Sequence, residues 1–327
     1  MIKVKIFCGD NNFDNPSNWR AHMQYGNEID GVDINYYSDN IANLNEDIKY
    51  DVIIFSRPII GCLNYIKLLK QNGVKVIVDY DDPLPLVFSE VNLETHFNET
   101  LQIMQEVDVI TTTTNQLKEY FYLHSFNENI KVLPNILNKS FVSENKVYHN
   151  DKVVLGWFGN SGHYESLKKI KDVIINILNE YENVYFNLYA QTQSFFDLFD
   201  HSKVNKIMYV FNFSEFQENI GEIDINLAPL NENYHNFFKS NIRIILPGFK
   251  GIPSVADNFS EYKLLGNENV LLCETNEDWY NNIKKLINNP ELRFNIGLNI
   301  KKCVTNNLSY ESWKSEKSEM FKSLVQK

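Results

Sequence analysis

Apolar and polar positions along the chain change their period repeatedly. Val4–Cys8, Val32–Tyr37, Asp51–Ser56, Val74–Tyr80, Val107–Thr112 and Ile130–Pro134 are short runs rich in β-branched residues and predict strands. Between several of them the apolar side chains recur at helical spacing. Leu63, Ile66, Leu69 and Lys70 precede an Asn72-Gly73 stop, and Leu101, Met104 and Gln105 precede Val107. Strands alternating with helices in this way predict a parallel, doubly wound sheet.

A polar segment, Asn138–Lys152, interrupts the pattern and is read as an interdomain linker. The alternation then restarts. Val153–Asn160 is a strand running into Ser161-Gly162-His163, and the next helix carries Leu167, Ile170, Ile174, Ile177, Leu178 and Tyr181 on one face. The runs VYFNLYA, KIMYVF, IDINLAPL, IPSVAD and NVLLCE supply further strands, and helices are expected near Asn276–Asn288 and Pro290–Thr305. A last amphipathic segment, Ser309–Val325, needs a hydrophobic partner for Trp313, Met320, Phe321 and Leu324, in the second domain or back on the first. The predicted fold class is therefore α/β: two Rossmann-like, doubly wound parallel-sheet domains, 1–140 and 153–308, with a C-terminal helix over 309–327.

Composition narrows the partners. A chain of 327 residues suits two domains of ordinary size, and 43% hydrophobic residues are ample for two cores. The formal charge is 31 − 42 = −11, which repels polyanions and makes duplex DNA an improbable though not excluded partner, since a locally basic cleft could exist. Cys8, Cys62, Cys273 and Cys303 lie far apart with no C-x-x-C pair, so neither a zinc site nor a disulfide framework is indicated. The N-terminus is too short and charged for a signal peptide, and nowhere do eighteen apolar residues run together. A cytoplasmic protein is expected, with peripheral membrane association left open.

The densest candidate chemistry lies in Ile223–Ala256. Lys239, Ser240 and Arg243 fall at the start of a predicted helix, after a buried strand ending in Ala228-Pro229-Leu230. A helix N-terminus exposes unpaired N–H groups and positive dipole, so cations there make a receptor for phosphate or diphosphate. A surface helix with two solvated cations is the alternative from spacing alone. Asp79, Asp81 and Asp82 leave a buried strand and enter a Pro-containing turn, suited either to holding sugar hydroxyls or to turn formation and helix capping. His163 stands at a strand-to-helix turn after Gly159-Asn160-Ser161-Gly162, where it either donates to a phosphate or sugar oxygen or is a solvated loop residue. Arg57, before Pro58, is a cleft cation or a surface residue. No G-x-S-x-G, H-E-x-x-H, Walker or G-x-G-x-x-G pattern occurs, which disfavours hydrolase, zinc protease, ATPase and dehydrogenase functions.

Taken in order, these segments resemble the GT-B glycosyltransferases of family 4, also called glycosyltransferase group 1. The matching pieces are Asp51–Pro58, Val78–Asp82, Val107–Thr114 and Val132–Asn135 in the first half. In the second they are Gly156–His163, similar to W-x-G-x-x-x-H, and Asp224–Ala256, similar to D-I-x-L-A-P-L, K-S-x-x-K and G-I-P-V-V-A. The resemblance implies two domains with a deep cleft between them, and retaining transfer of a sugar from a nucleotide-diphosphate donor to a saccharide, lipid-linked or protein acceptor. No cofactor or metal is expected: Lys239, Arg243 and the helix N-terminus would stabilise the leaving diphosphate, although Asp79-Tyr80-Asp81 matches the D-x-D metal signature of a different glycosyltransferase fold. It further implies catalytic roles for Asp81, Asp82, Lys239 and Arg243. Donor binding falls to Gly159, Asn160, Gly162, His163, Lys239, Ser240, Arg243 and Asn258, and acceptor binding to the Gly9-Asp10-Asn11-Asn12 loop and Arg57. One departure stands out. Relatives carry a Glu seven residues before the Pro of G-I-P, expected to hold the nucleotide ribose, and this chain has Leu246 there. A phage-type enzyme acting on modified DNA bases and a non-catalytic GT-B binding protein are the competing readings.

Overall fold

The computed structural model describes residues 1–8, 20, 25, 29–37, 43–58, 61–125, 127–137, 146, 151–208 and 218–326. The chain forms two compact units, and the division is not a single cut. The first comprises Met1–Asn138, Phe237–Ser240 and Leu308–Lys327; the second comprises Lys139–Asn236 and Asn241–Asn307.

In the first unit six strands, β1 (Ile2–Phe7), β2 (Val32–Tyr37), β3 (Val52–Ser56), β4 (Lys75–Tyr80), β5 (Val109–Thr112) and β6 (Ile130–Val132), make one sheet in the order β2-β1-β3-β4-β5-β6. Every pairing is parallel. Side chains alternate between two cores, as the period of a strand requires. Ile53, Phe55, Val76, Val78 and Ile110 face Ile66, Leu69, Ile103, Met104, Leu117 and Phe121 of the helices Leu63–Gln71, Glu94–Glu106 and Asn115–Ser125. Val4, Ile6, Val52, Ile54, Ile77 and Val109 share the other core with Tyr310, Met320, Phe321 and Leu324. Those four belong to the helix Tyr310–Val325, which thus covers a face of the first sheet. At about 1.5–3 kcal/mol for each large apolar side chain fully buried, that face anchors the C-terminal segment.

The second unit repeats the plan. β7 (Val153–Gly159), β8 (Val184–Ala190), β9 (Val204–Met208), β10 (Ile225–Ala228), β11 (Ser254–Asp257) and β12 (Val270–Cys273) run in the order β12-β11-β10-β7-β8-β9, again all parallel. One face buries Leu155, Trp157, Phe186, Leu188, Leu227 and Val255 against the helices Lys171–Glu180 and Asn276–Asn288. On the helices Ile242–Phe249 and Pro290–Asn307, Gly248 lets the backbones approach: a Cβ there would lie 2.7 Å from Ile300 Cγ1. Among the described residues no helix is long and apolar enough to cross a membrane.

The expected fold class, two doubly wound parallel sheets, is what the structure shows. Local boundaries differ. The single helix expected over Leu167–Tyr181 is two, Tyr164–Lys169 and Lys171–Glu180, because the Ile170 N–H bonds the Leu167 carbonyl at 3.1 Å and tightens the turn between them. The strand expected at KIMYVF ends at Met208, and the rest of that run lies outside the described residues. So does most of the expected linker; Lys146, which is described, donates to the Gly221 carbonyl and pairs with Asp224 within the second unit.

Candidate functional site

Doubly wound sheets bind ligands beyond the carboxyl ends of their strands, at the point where the strand order reverses. In the first unit that point lies between β1 and β3, and in the second between β7 and β10. The candidate residues lie past the carboxyl ends of several strands: Arg57 follows β3, Asp81 and Asp82 follow β4, Asn160 follows β7 and Asn258 follows β11.

At the edge of the first sheet, β3 ends at Ser56 and Arg57 follows with φ of 51°, a left-handed conformation that costs a non-glycine residue energy. Its N–H donates to the Asp79 carbonyl at 2.9 Å, which holds the turn. Its guanidinium lies between two carboxylates: Nε is 3.5 Å from Asp81 Oδ1 and Nη2 is 3.3 Å from Asp82 Oδ2. Asp82 Oδ1 also accepts from Lys239 Nζ at 2.6 Å. Burial raises the Asp81 carboxyl above the ordinary carboxylate range, against the opposing pull of Arg57. Arg57 is itself raised, chiefly by Asp81. The helix that follows, Leu84–Glu90, has Pro83 at its cap and no side-chain capping bond, so neither Asp81 nor Asp82 is spent as a helix cap.

Asp79 differs from its two neighbours: it lies in the strand expected for it, but the role expected for it, holding sugar hydroxyls or forming the turn, is corrected. It lies within β4, 1% exposed, and its carboxylate receives a two-pronged contact from Arg20, Nε to Oδ2 at 2.7 Å and Nη2 to Oδ1 at 2.8 Å. Thr111 Oγ1 donates to the same carboxylate at 2.6 Å. With its oxygens satisfied inside the unit, Asp79 is a buried anchor. Arg20, which the pattern of the sequence did not single out, continues outward: its Nη1 donates to Asn135 Oδ1 at 2.9 Å, and Asn135 Nδ2 donates to Ser240 Oγ at 2.7 Å.

Lys239 and Ser240 are therefore not helical residues, contrary to expectation. The helix begins at Ile242, after Asn241, because the preceding residues are engaged elsewhere. Phe238 is 3% exposed in the first core, its ring 5.1 Å from Tyr120, and its carbonyl accepts from Thr114 Oγ1 at 3.4 Å. Only Arg243 is in the first turn. It is buried, donates to the carbonyls of Pro229 and Phe158 at 3.0 Å each, and lies 5.3 Å over the Trp157 ring. Burial lowers its pKa. Arg243 thus ties together the strand ends at the reversal point of the second sheet.

At that same edge, the Asn160 side chain accepts from the Gly162 N–H at 3.1 Å and its carbonyl accepts from the His163 N–H at 3.0 Å, closing a tight 3₁₀ turn over Ser161–His163. Gly159 has a steric reason as well: a Cβ there would fall 2.8 Å from the Trp157 ring. His163 is half-buried. Asn258, past β11, donates to Glu274 Oε1 at 2.6 Å. Leu246 is half-buried on the helix Ile242–Phe249. Gly9, Asp10, Asn11 and Asn12 lie outside the described residues. Among the described residues no three His, Cys, Asp or Glu side chains converge to hold a metal ion.

Two further features were missed by sequence reasoning. Lys169 pairs with Asp257 at 2.6 Å, and Asp257 also accepts from the Leu230 N–H at 2.6 Å. Glu261, just beyond β11, is buried, and burial pushes its carboxyl up to about 7. Unfolding returns it to the ordinary value of 4.5, so the folded state holds this proton more tightly. The contribution to stability is complete below the unfolded value and is lost as pH rises through about 7. Urea midpoints should show the wild type losing about 1–2 kcal/mol more than Glu261→Gln between pH 5 and pH 8, less than the full linkage value because the residue retains slight exposure.

No protein-family profile matches the sequence, and no curated protein matches it. Its fold is nevertheless a known one, the two-domain α/β architecture of the GT-B glycosyltransferases. Among solved structures it is similar to HepE from Anabaena in complex with UDP and glucose, with a TM-score of 0.71 at 12% identity over 99% of this chain and 100% of that one. Sucrose-phosphate synthase from Thermosynechococcus elongatus gives a TM-score of 0.67 at 10% identity, covering 100% of both chains. A TarM variant from S. aureus, solved with Fondaparinux, alpha-GlcNAc-glycerol and UDP, gives 0.63 at 13% identity over 84% of this chain and 55% of that one.

Proposed function

We propose that the protein is a glycosyltransferase that moves a sugar, with retention of configuration, from a nucleoside-diphosphate donor to a saccharide, lipid-linked or protein acceptor. The observation that carries this reading is the Arg57–Asp81–Asp82–Lys239 cluster at the carboxyl edge of a doubly wound sheet. The solved structures sharing the fold include one with UDP and glucose and one with UDP-glucose, which supports a nucleotide sugar as donor. As the glycosidic bond breaks, negative charge grows on the diphosphate, and Lys239 stabilises it. The Asp82 and Lys239 side chains are 24% and 35% exposed, and an ion pair of that kind is worth about 0–1 kcal/mol, so an anionic ligand displaces Asp82 at little cost. Asp81 and Asp82 accept hydrogen bonds from acceptor hydroxyls. In the second unit, donor contacts are assigned to Gly159, Asn160, Gly162, His163 and Asn258, and Arg243 acts there by shaping the strand ends rather than by touching the donor; in the first unit, Lys239 and Ser240 are assigned to a diphosphate group. A cytoplasmic location belongs to the same reading.

Leu246 favours a second reading, a non-catalytic nucleotide-sugar-binding protein, since an apolar side chain there supplies no acceptor for ribose hydroxyls. A thermal-unfolding screen against nucleotides and nucleotide sugars tests what both readings share: a ligand at 100 times its Kd stabilises by about 2.7 kcal/mol. Turnover then separates them. Because a lysine supplies the charge, transfer should persist in excess EDTA; complete loss, restored by Mn²⁺ or Mg²⁺, would contradict the mechanism.

A further inference from the structure

The chain Asp79, Arg20, Asn135, Ser240 has a direction. A guanidinium has donors and no acceptor, so Arg20 Nη1, 2.9 Å from the Asn135 side chain, must meet its oxygen. The amide of Asn135 is thereby oriented, and its NH₂ is the group 2.7 Å from Ser240 Oγ. Ser240 Oγ must accept that bond. A serine hydroxyl has one proton, which remains to be donated, and among the described residues no acceptor takes it. The origin of the chain is rigid: Arg20 and Asp79 side chains are 4% and 1% exposed. Ser240 is also next to Lys239, whose ammonium is paired with the partly exposed Asp82 carboxylate at 2.6 Å, so one stretch of backbone carries an O–H donor and a cation side by side.

We propose that Asn135 is a positioning residue that sets Ser240 as an O–H donor toward a diphosphate oxygen, an acceptor-only group. The inference rests on the donor reading given above and adds to it the residue that fixes the direction of the Ser240 bond. The alternative role for Asn135, filling space between Arg20 and Ser240, makes no distinction between an amide and a carboxylate of the same shape. The relay does. In N135D the carboxylate would still accept from Arg20, but it would take the Ser240 proton for itself and leave nothing to donate to the ligand.

The test compares wild type with N135D, S240A and S240T by calorimetric titration with UDP, with inorganic diphosphate and with uridine. A hydrogen bond to a charged group corresponds to roughly a 10- to 100-fold loss when removed. S240A and N135D should both lose about that much affinity for UDP and for diphosphate, S240T should keep it, and uridine binding should not change. The double variant N135D/S240A should bind UDP no more than about twofold worse than S240A alone, since Asn135 acts through Ser240. Melting temperatures of N135D and wild type should agree, because Arg20 keeps its acceptor. Wild-type affinity in N135D or S240A, or equal losses for uridine and UDP, would overturn the assignment while leaving the donor reading intact. Failure of the wild type to bind either UDP or diphosphate would overturn both.

Discussion

Replacing Lys239 with alanine is expected to lower sugar transfer by roughly 100-fold or more, the loss typical of removing one charge-stabilising donor from a transition state. The protein should remain folded. Lys239 and Asp82 are partly exposed, and losing such a pair should move the unfolding free energy by less than about 1 kcal/mol. Steady-state kinetics and a urea titration on the same preparation separate the two effects. Wild-type turnover in K239A, or a loss of activity that only follows a loss of fold, would remove Lys239 from the leaving-group role.

The largest effect on stability is expected at Asp79. Its contact with Arg20 is buried and two-pronged, and removing one partner of such a pair leaves an uncompensated charge, at a cost of about 3–5 kcal/mol. Asp79→Ala should therefore destabilise the first unit by that amount in denaturant titration. The double variant Arg20→Met with Asp79→Leu should recover part of the loss, since a buried ion pair replaced by apolar side chains is often neutral. A single variant that unfolds within about 1 kcal/mol of wild type would show that Arg20 is held by other means.

The layout of both sheets was legible because it rests on local period. Ile53 and Phe55 alternate with Val52 and Ile54 between two covered faces, and the strand run Asp51–Ser56 records this in a few residues. The C-terminal amphipathic helix was legible for the same reason, through Met320, Phe321 and Leu324. What the pattern could not hold is long-range pairing. Lys239 meets Asp82 across 157 positions and Ser240 meets Asn135 across 105, so their removal from the predicted helix start has no local signature. Arg243 is a sharper case. Its spacing fits an anion-binding helix start, yet the fold engages it with two strand-end carbonyls and stacks it over a Trp ring. Arg20 stands alone in a polar stretch, and only the buried Asp79 reveals its use. Glu261 carries no motif at all; its raised carboxyl comes from burial, which follows from packing after β11.

Release of nucleoside diphosphate from a panel of nucleotide sugars, followed with and without candidate saccharide acceptors and with K239A alongside, tests the central claim most directly. Transfer predicts that at least one donor, UDP-sugars first, is turned over by the wild type with stoichiometric sugar incorporation into an acceptor and that K239A is slower by about two orders of magnitude. Binding of a nucleotide sugar without any turnover would leave a GT-B binding protein, and the absence of both binding and turnover across the panel would contradict the glycosyltransferase reading altogether.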